Sequence, residues 1–358
     1  MGSEETARHR HVDRDGMLET ALGGPGQLVE GWRATTGIDI GDAPDGTPVV
    51  VCGMGGSAIG GLLLRDLAGA GAPAPVHVVR RYLLPSWVDE SALVVCLSYS
   101  GETEETLDCF HNALLRGVRP VAITSGGRLA EEARRENACL VEIPGGLPPR
   151  AAIGHLFGPL LAIATKRGLL SLDDEAVERA AHRAARIAER YALDADPAGN
   201  AALQLAKKLY GRIPLVYGGD GLLSSLAYRW KCQFNENSKS MAFANVFPEL
   251  GHNEVMGWEC PQRMRDGLFL VMLRDAEDHP RVQKRMEATY AMLEPLAAGA
   301  ALFDSAGPAG RSGRLERLLS LLLLGDVASV YLAVEYGKDP TPIEKIEEIK
   351  TQLRSEDR

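Results

Sequence analysis

Ser98-Tyr99-Ser100-Gly101-Glu102-Thr103-Glu104-Glu105-Thr106 closes the apolar run Leu93–Leu97 in hydroxyls and a glycine, and opens a helical pattern. A strand that turns into a helix at such residues is suited to holding an anion. The N–H groups of a first helical turn point outward with partial positive charge, and Ser98, Ser100 and Thr103 add hydroxyl donors. A second turn of the same kind lies upstream, where Val49–Cys52 gives way to Gly53-Met54-Gly55-Gly56-Ser57-Ala58-Ile59-Gly60-Gly61 and then to three leucines. Two such turns after neighbouring strands suggest one phosphorylated ligand held between them. Glu102, Glu104 and Glu105 sit awkwardly beside a phosphate. The helix dipole favours carboxylates in a first turn, so they are expected to cap the helix and point away from the ligand.

Either loop alone also fits a plain glycine turn that lets a helix pack on a sheet. The upstream loop further matches the dinucleotide fingerprint G-x-G-x-x-A at Gly53, Gly55 and Ala58, which makes an NADP-dependent oxidoreductase the rival reading. An acidic residue should then end the next strand. Val76–Val79 runs instead into Arg80-Arg81, which disfavours NAD while tolerating the extra phosphate of NADP. The serine-rich second loop tips the balance toward a single phosphate.

The 358 residues are 45% hydrophobic and 24% charged, with a net charge of −9, an ordinary globular balance that argues against a general nucleic-acid binder. A local loop can still bind an anionic sugar phosphate, because the site's potential is set by its own donors. No apolar stretch is expected to reach the roughly 18 residues of a membrane span, and the polar start lacks the look of a signal sequence; the expectation is a cytoplasmic protein without membrane or nucleic-acid partners. Six scattered cysteines form no C-x-x-C pair, and Cys52 and Cys96 read as buried small hydrophobes. The eight histidines include no H-E-x-x-H, so neither a metal nor another cofactor is expected.

From residue 48 short apolar runs alternate with helical patterns: strands at Val49–Cys52, Val76–Val79, Leu93–Leu97, 121–123 and 140–143, with crossover helices between. Such alternation predicts a doubly wound parallel sheet flanked by helices. An amphipathic helix over 173–191 follows, then a second alternation with strands at 213–217, 267–273 and 300–303 and helices at 222–230, 280–292 and 314–336. The fold class is therefore α/β with two subdomains of similar architecture. The expected bounds are an N-terminal helical segment 1–40, a first subdomain 41–165, a helical connection 166–195 and a second subdomain 196–358.

Titratable residues crowd the second half: Asn235-Glu236-Asn237-Ser238-Lys239 is followed by Pro248-Glu249-Leu250-Gly251-His252-Asn253-Glu254. A Glu and a His at a helix end and a nearby loop suit a base and a separate acid/base for proton transfer on a sugar. The same spacing also fits a solvated carboxylate and a surface imidazole. These two segments, the two anion loops, Gly146-Leu147-Pro148-Pro149-Arg150 and Asp339-Pro340-Thr341-Pro342 occur in an order that resembles the bifunctional phosphoglucose/phosphomannose isomerase family of the sugar isomerase (SIS) domain superfamily, over residues 49–353.

That resemblance implies two SIS subdomains, a homodimer, and metal-free aldose–ketose isomerisation of hexose 6-phosphates. It implies that Gly56, Ser57, Ser98, Ser100 and Thr103 hold the phosphate, that Arg150 stabilises an enediolate, and that Glu236 is the base. His252 resembles the ring-opening histidine that reaches in from the partner subunit. Lys350 resembles a lysine that assists it, with Lys345 about one turn away as the alternative. Thr341 resembles a threonine associated with mannose acceptance. A non-catalytic sugar-phosphate-sensing module is the competing class; it would carry a helix-turn-helix, for which the short N-terminal segment offers no candidate.

Overall fold

In the computed structural model, which describes residues 3–41 and 46–356, two parallel sheets stand in one chain. Residues 1–2, 42–45 and 357–358, which fall in the expected N-terminal segment and the two subdomains, lie outside the described residues. The first sheet is β1 (Val49–Cys52), β2 (Val76–Val79), β3 (Leu93–Leu97), β4 (Val121–Thr124) and β5 (Cys139–Glu142), in the order β2-β1-β3-β4-β5. The second is β6 (Ile213–Gly219), β7 (Phe243–Phe247), β8 (Leu268–Arg274) and β9 (Gly299–Asp304), ordered β7-β6-β8-β9. Every pairing is parallel.

Side chains alternate across a strand, and here both faces are apolar. Val49, Val51, Val95 and Leu97 join one core, while Val50, Cys52, Val94 and Cys96 join another on the opposite face. The larger core continues into the second sheet through Val216, Phe269 and Val271. Burial on both faces gives these strands their unbroken apolar runs. The α/β, doubly wound architecture read from the sequence is the one observed.

β7 was not foreseen. It is an edge strand of which only Phe247 is buried, so its sequence carries little of the period-two signal. The helix Ser224–Glu236 runs six residues past the expected end at 230, which makes Glu236 its last residue. A correction also falls on the apolar stretches: the helix Arg314–Glu335 lies in a segment long and apolar enough to cross a membrane, yet 94% of its apolar window is buried within the protein. It is the central core helix, packed against Asp174–Glu189, Ala201–Leu209 and Ser224–Glu236.

The N-terminal helix Gly24–Arg33 packs on Ile153–Lys166 through glycines. A Cβ on Gly158 would lie 2.4 Å from Trp32 N and 2.5 Å from Leu28 O. Only a bare backbone admits that approach.

Candidate active site

Strand order in the first sheet reverses between β1 and β3, and a crevice opens there at the carboxyl ends of the strands. Both anion loops leave from it. The first, after β1, enters the helix Gly55–Ala68 with no side-chain cap, so the leading N–H groups stay available. Gly55 has φ +51°, and a Cβ on Gly56 would lie 3.0 Å from the backbone of both Pro149 and Arg150. The glycines thus let the loop touch the segment that carries Arg150.

The second loop, after β3, enters the helix Glu104–Leu115. Ser98 is fully buried beneath it; its Oγ lies 2.9 Å from Thr103 Oγ1 and accepts the Thr103 N–H at 3.4 Å. Ser100 Oγ accepts the Glu102 N–H at 3.2 Å, and Ser57 Oγ accepts the Tyr99 N–H at 3.3 Å, tying the two loops together. Gly101 takes φ +73° and presses so closely on Gly126 that a Cβ would lie 1.9 Å from its carbonyl oxygen. No other residue fits that turn.

A cavity of about 520 Å³ lies over these loops, and its walls include Gly56, Ser57, Ser100, Thr103, Arg150, Glu236 and Lys350. The fold therefore gathers seven of the ten residues singled out from the sequence. Lys350 belongs to the helix Glu344–Glu356, whose Ile343-preceded face also brings Ile346 and Leu353 to the cavity, while Lys345 does not line it. Ser98 is absent from the wall because it is the support under Thr103. Glu102, Glu104 and Glu105 all line the cavity, against the expectation that they turn away; the Glu102 carboxylate is engaged by the Arg128 N–H at 3.0 Å.

Arg150 is 3% exposed and fixed on three sides. Its Nε donates to Asn237 Oδ1 at 2.6 Å, and Nη2 donates to the carbonyls of Pro340 at 2.6 Å and Thr341 at 2.9 Å. Nη1 faces Glu236 Oε2 at 3.9 Å. Burial lowers the guanidinium's pKa and Glu236 opposes that shift. A guanidinium keeps its proton far above neutral pH, so Arg150 remains the cation of the site. Lys239, in the left-handed region at φ 55°, donates to the carbonyls of Glu236 at 2.6 Å and Pro340 at 3.0 Å. Burial, then repulsion from Arg150, pushes its pKa down to about 8.

Behind these stands a buried polar network that sequence reasoning missed. Arg229 pairs with Asp326 through two hydrogen bonds of 2.9 and 2.6 Å and donates to the Arg150 carbonyl at 3.0 Å. Gln233 donates to Asp326, and Asn237 to Ser329. Asp326 lies in the middle of an apolar helix, and a carboxylate at such a position signals a buried partner.

Thr341 contributes its carbonyl to Arg150 and does not line the cavity; its hydroxyl is buried and finds no partner among the described residues. His252 ends a short 3-10 turn, Glu249–His252, is exposed, and is not part of its own chain's cavity. Glu254 anchors the segment that follows, accepting the Tyr217 hydroxyl at 2.6 Å and the Asn245 amide. Among the described residues no group of three or more His, Cys, Asp or Glu side chains is arranged to hold a metal.

Two parallel-sheet subdomains with an anion cradle at the switch point of the first and a Glu–Arg pair above it define a SIS-domain protein. Residues 198–353 match the family described as bacterial phospho-glucose isomerase C-terminal SIS domain. Over 339 residues, 94% of this chain and 98% of the relative, the chain is 41% identical to a bifunctional phosphoglucose/phosphomannose isomerase of Caldicellulosiruptor bescii. It is 39% identical over 316 residues to the protein of the same name from Aquifex aeolicus, covering 87% of this chain and 93% of that one. A crystal structure of a hypothetical protein from Thermus thermophilus shares the fold with a TM-score of 0.73 at 17% identity, covering 98% of this chain and 94% of that one. The chain belongs to the bifunctional phosphoglucose/phosphomannose isomerase family. The oxidoreductase and non-catalytic readings are set aside with it.

Proposed function

We propose that the chain interconverts aldose and ketose forms of hexose 6-phosphates, glucose and mannose 6-phosphate with fructose 6-phosphate, without a metal and as a homodimer in the cytoplasm. The observation that carries the mechanism is one cavity lined by Ser57, Ser100 and Thr103 and by the Arg150–Glu236 pair. The phosphate sits on the hydroxyls and on free N–H groups of the two helix starts, with Ser98 holding Thr103 in place. That fixes C1 and C2 toward Glu236.

Once the ring is open, the Glu236 carboxylate takes the proton from C2 of the aldose. The C–H electrons form the C1=C2 double bond and the carbonyl electrons move onto O1. Arg150 faces that developing charge; held on three sides and shielded from water, it needs no reorganisation to do so. Proton return to C1, with transfer of the O2 proton to O1, gives the ketose. C2 is planar in the enediol, so glucose and mannose phosphates share one intermediate and differ only in the face protonated. Thr341, which holds Arg150 through its carbonyl, is the proposed determinant of that tolerance. Lys350 assists ring opening, and His252, exposed and outside its own chain's cavity, performs it in the second copy's site.

A coupled assay following fructose 6-phosphate into glucose 6-phosphate and mannose 6-phosphate, with and without EDTA, tests substrate, breadth and metal independence together. Equal rates with EDTA support the reading, and absence of turnover sinks it. Mixing Glu236→Gln and His252→Ala proteins under subunit exchange should restore activity through one intact composite site. No rescue despite demonstrated exchange removes the shared site.

A further inference from the structure

Past Glu236 the main cavity adjoins a second one of about 350 Å³, and the two share Met54, Gly55, Gly56, Arg150 and Glu236. Tyr228, Cys232 and Glu236, four residues apart on one helix, form a stripe along its wall. Arg80, directly after β2, also lines it, its guanidinium carbon 5.5 Å from the centre of the Tyr228 ring. Lys231 Nζ lies 5.6 Å from the same ring. Arg150 and Arg229 are committed to protein acceptors, whereas Arg80 makes no ion pair among the described residues. The monophosphate substrate, anchored at Ser100 and Thr103 with C1 and C2 at Glu236, leaves Arg80 and the part of this cavity beyond Glu236 unused.

We propose that the second cavity is a subsite for an anionic group on the C1 end of a hexose 6-phosphate, with Arg80 as its counter-ion, so that hexose 1,6-bisphosphates bind across both cavities. The inference rests on the isomerase reading for the direction of the sugar: phosphate on the hydroxyl loops, C1 and C2 at Glu236, and any C1 substituent beyond. A guanidinium supplies paired donors to a phosphoryl group and offsets the nearby Glu236 charge. Glucose 1,6-bisphosphate is a locked acetal. With O1 phosphorylated its ring cannot open, no carbonyl forms, and Glu236 has no acidified C2 proton to take. It is a dead-end ligand that would couple turnover to the level of doubly phosphorylated hexose.

The test compares glucose 1,6-bisphosphate with methyl glucopyranoside 6-phosphate, the same locked acetal without the second anion, as inhibitors of fructose 6-phosphate turnover by the full-length protein. Arg80→Ala should raise the ratio of their inhibition constants, bisphosphate over methyl glycoside, about tenfold, and Arg80→Lys should recover most of it. A ratio unchanged by Arg80→Ala, or a bisphosphate that does not bind the unaltered protein, overturns the subsite. If the unaltered protein turns over no fructose 6-phosphate, the isomerase reading falls. Calorimetric titration of the same two ligands into unaltered and Arg80→Ala protein then scores the subsite by the same ratio.

Discussion

Asp278→Asn should stabilise the protein near neutral pH, by an amount that vanishes in acid. The second sheet has its own switch point, between β6 and β8, where a phosphate cradle would stand by analogy with the first. Instead the Asp278 carboxylate fills it: a Cβ on Gly219 would lie 2.5 Å from Asp278 Oδ2, and the side chain is 6% exposed. Its one hydrogen-bond donor among the described residues is the Asp275 N–H at 3.1 Å. Burial is the main cause that pushes its pKa from 3.8 up to about 6; repulsion from Asp275 and Asp220 adds to this, and Arg314 opposes it. A carboxyl whose folded pKa is raised carries no penalty below its unfolded value. Stability is lost as pH rises through about 4 to 6, because the unfolded chain ionises first. At about 1.4 kcal/mol per pKa unit the loss reaches up to about 3 kcal/mol above pH 6. For a chain of this length that is about 4 °C in Tm. Asn keeps the oxygen that accepts the Asp275 N–H and removes the charge. Melting curves of both proteins from pH 4 to 8 should coincide at the acid end and separate by about that much at pH 7.5, with the variant higher. A constant offset across pH, or a less stable variant at pH 7.5, would refute the assignment.

Three further outcomes check the active site and the core. Ser98→Ala with Ser100→Ala should raise KM for hexose 6-phosphates about ten- to hundredfold, since one hydroxyl lines the cavity and the other holds Thr103; an unchanged KM in the folded protein contradicts the phosphate site. Glu236→Gln should lower kcat by about 10² to 10⁴ while KM stays within a few-fold, and a near-normal kcat would remove the base assignment. Gly158→Ala should cost about 1 to 3 kcal/mol in urea unfolding, because the added methyl meets the backbone of Trp32 and Leu28, which no rotamer change relieves. A loss below about 0.5 kcal/mol would show that the two helices can separate without penalty.

The parallel strands of the first sheet were legible because burial on both faces leaves Val49–Cys52 and Leu93–Leu97 wholly apolar between turn residues. β7 was not legible, since an edge strand with one buried residue has no pattern to read. The long helix Arg314–Glu335 was legible to within a residue, but not its passing the length and apolarity of a membrane span: sequence hydropathy cannot distinguish lipid from protein as the surrounding medium. What separates them is content. Asp326 and Arg317 sit in that helix ion-paired, with Arg229 and Asp275 respectively, and only a protein interior supplies such partners.

The hydroxyls and glycines of the cradle could be found from local order, because a strand-to-helix turn spans few residues and its chemistry is contiguous. Glu236 and Arg150 were placed by motif, yet the reason they face each other is spread over the whole chain. Arg150 is held by Asn237, 87 residues on, and by the carbonyls of Pro340 and Thr341, about 190 residues on. Two of those three acceptors are backbone carbonyls, which every residue type has, so no spacing rule reports them. The same holds for Arg229, whose donation to the Arg150 carbonyl joins the base's helix to the cation's loop. Asp326 then fixes Arg229 and Gln233 on successive turns of the helix that ends in Glu236. Hence the separation of base and cation follows from a polar brace buried between the subdomains. Loosening that brace should lower kcat more than it raises KM, because the phosphate cradle lies on the first sheet and does not depend on it.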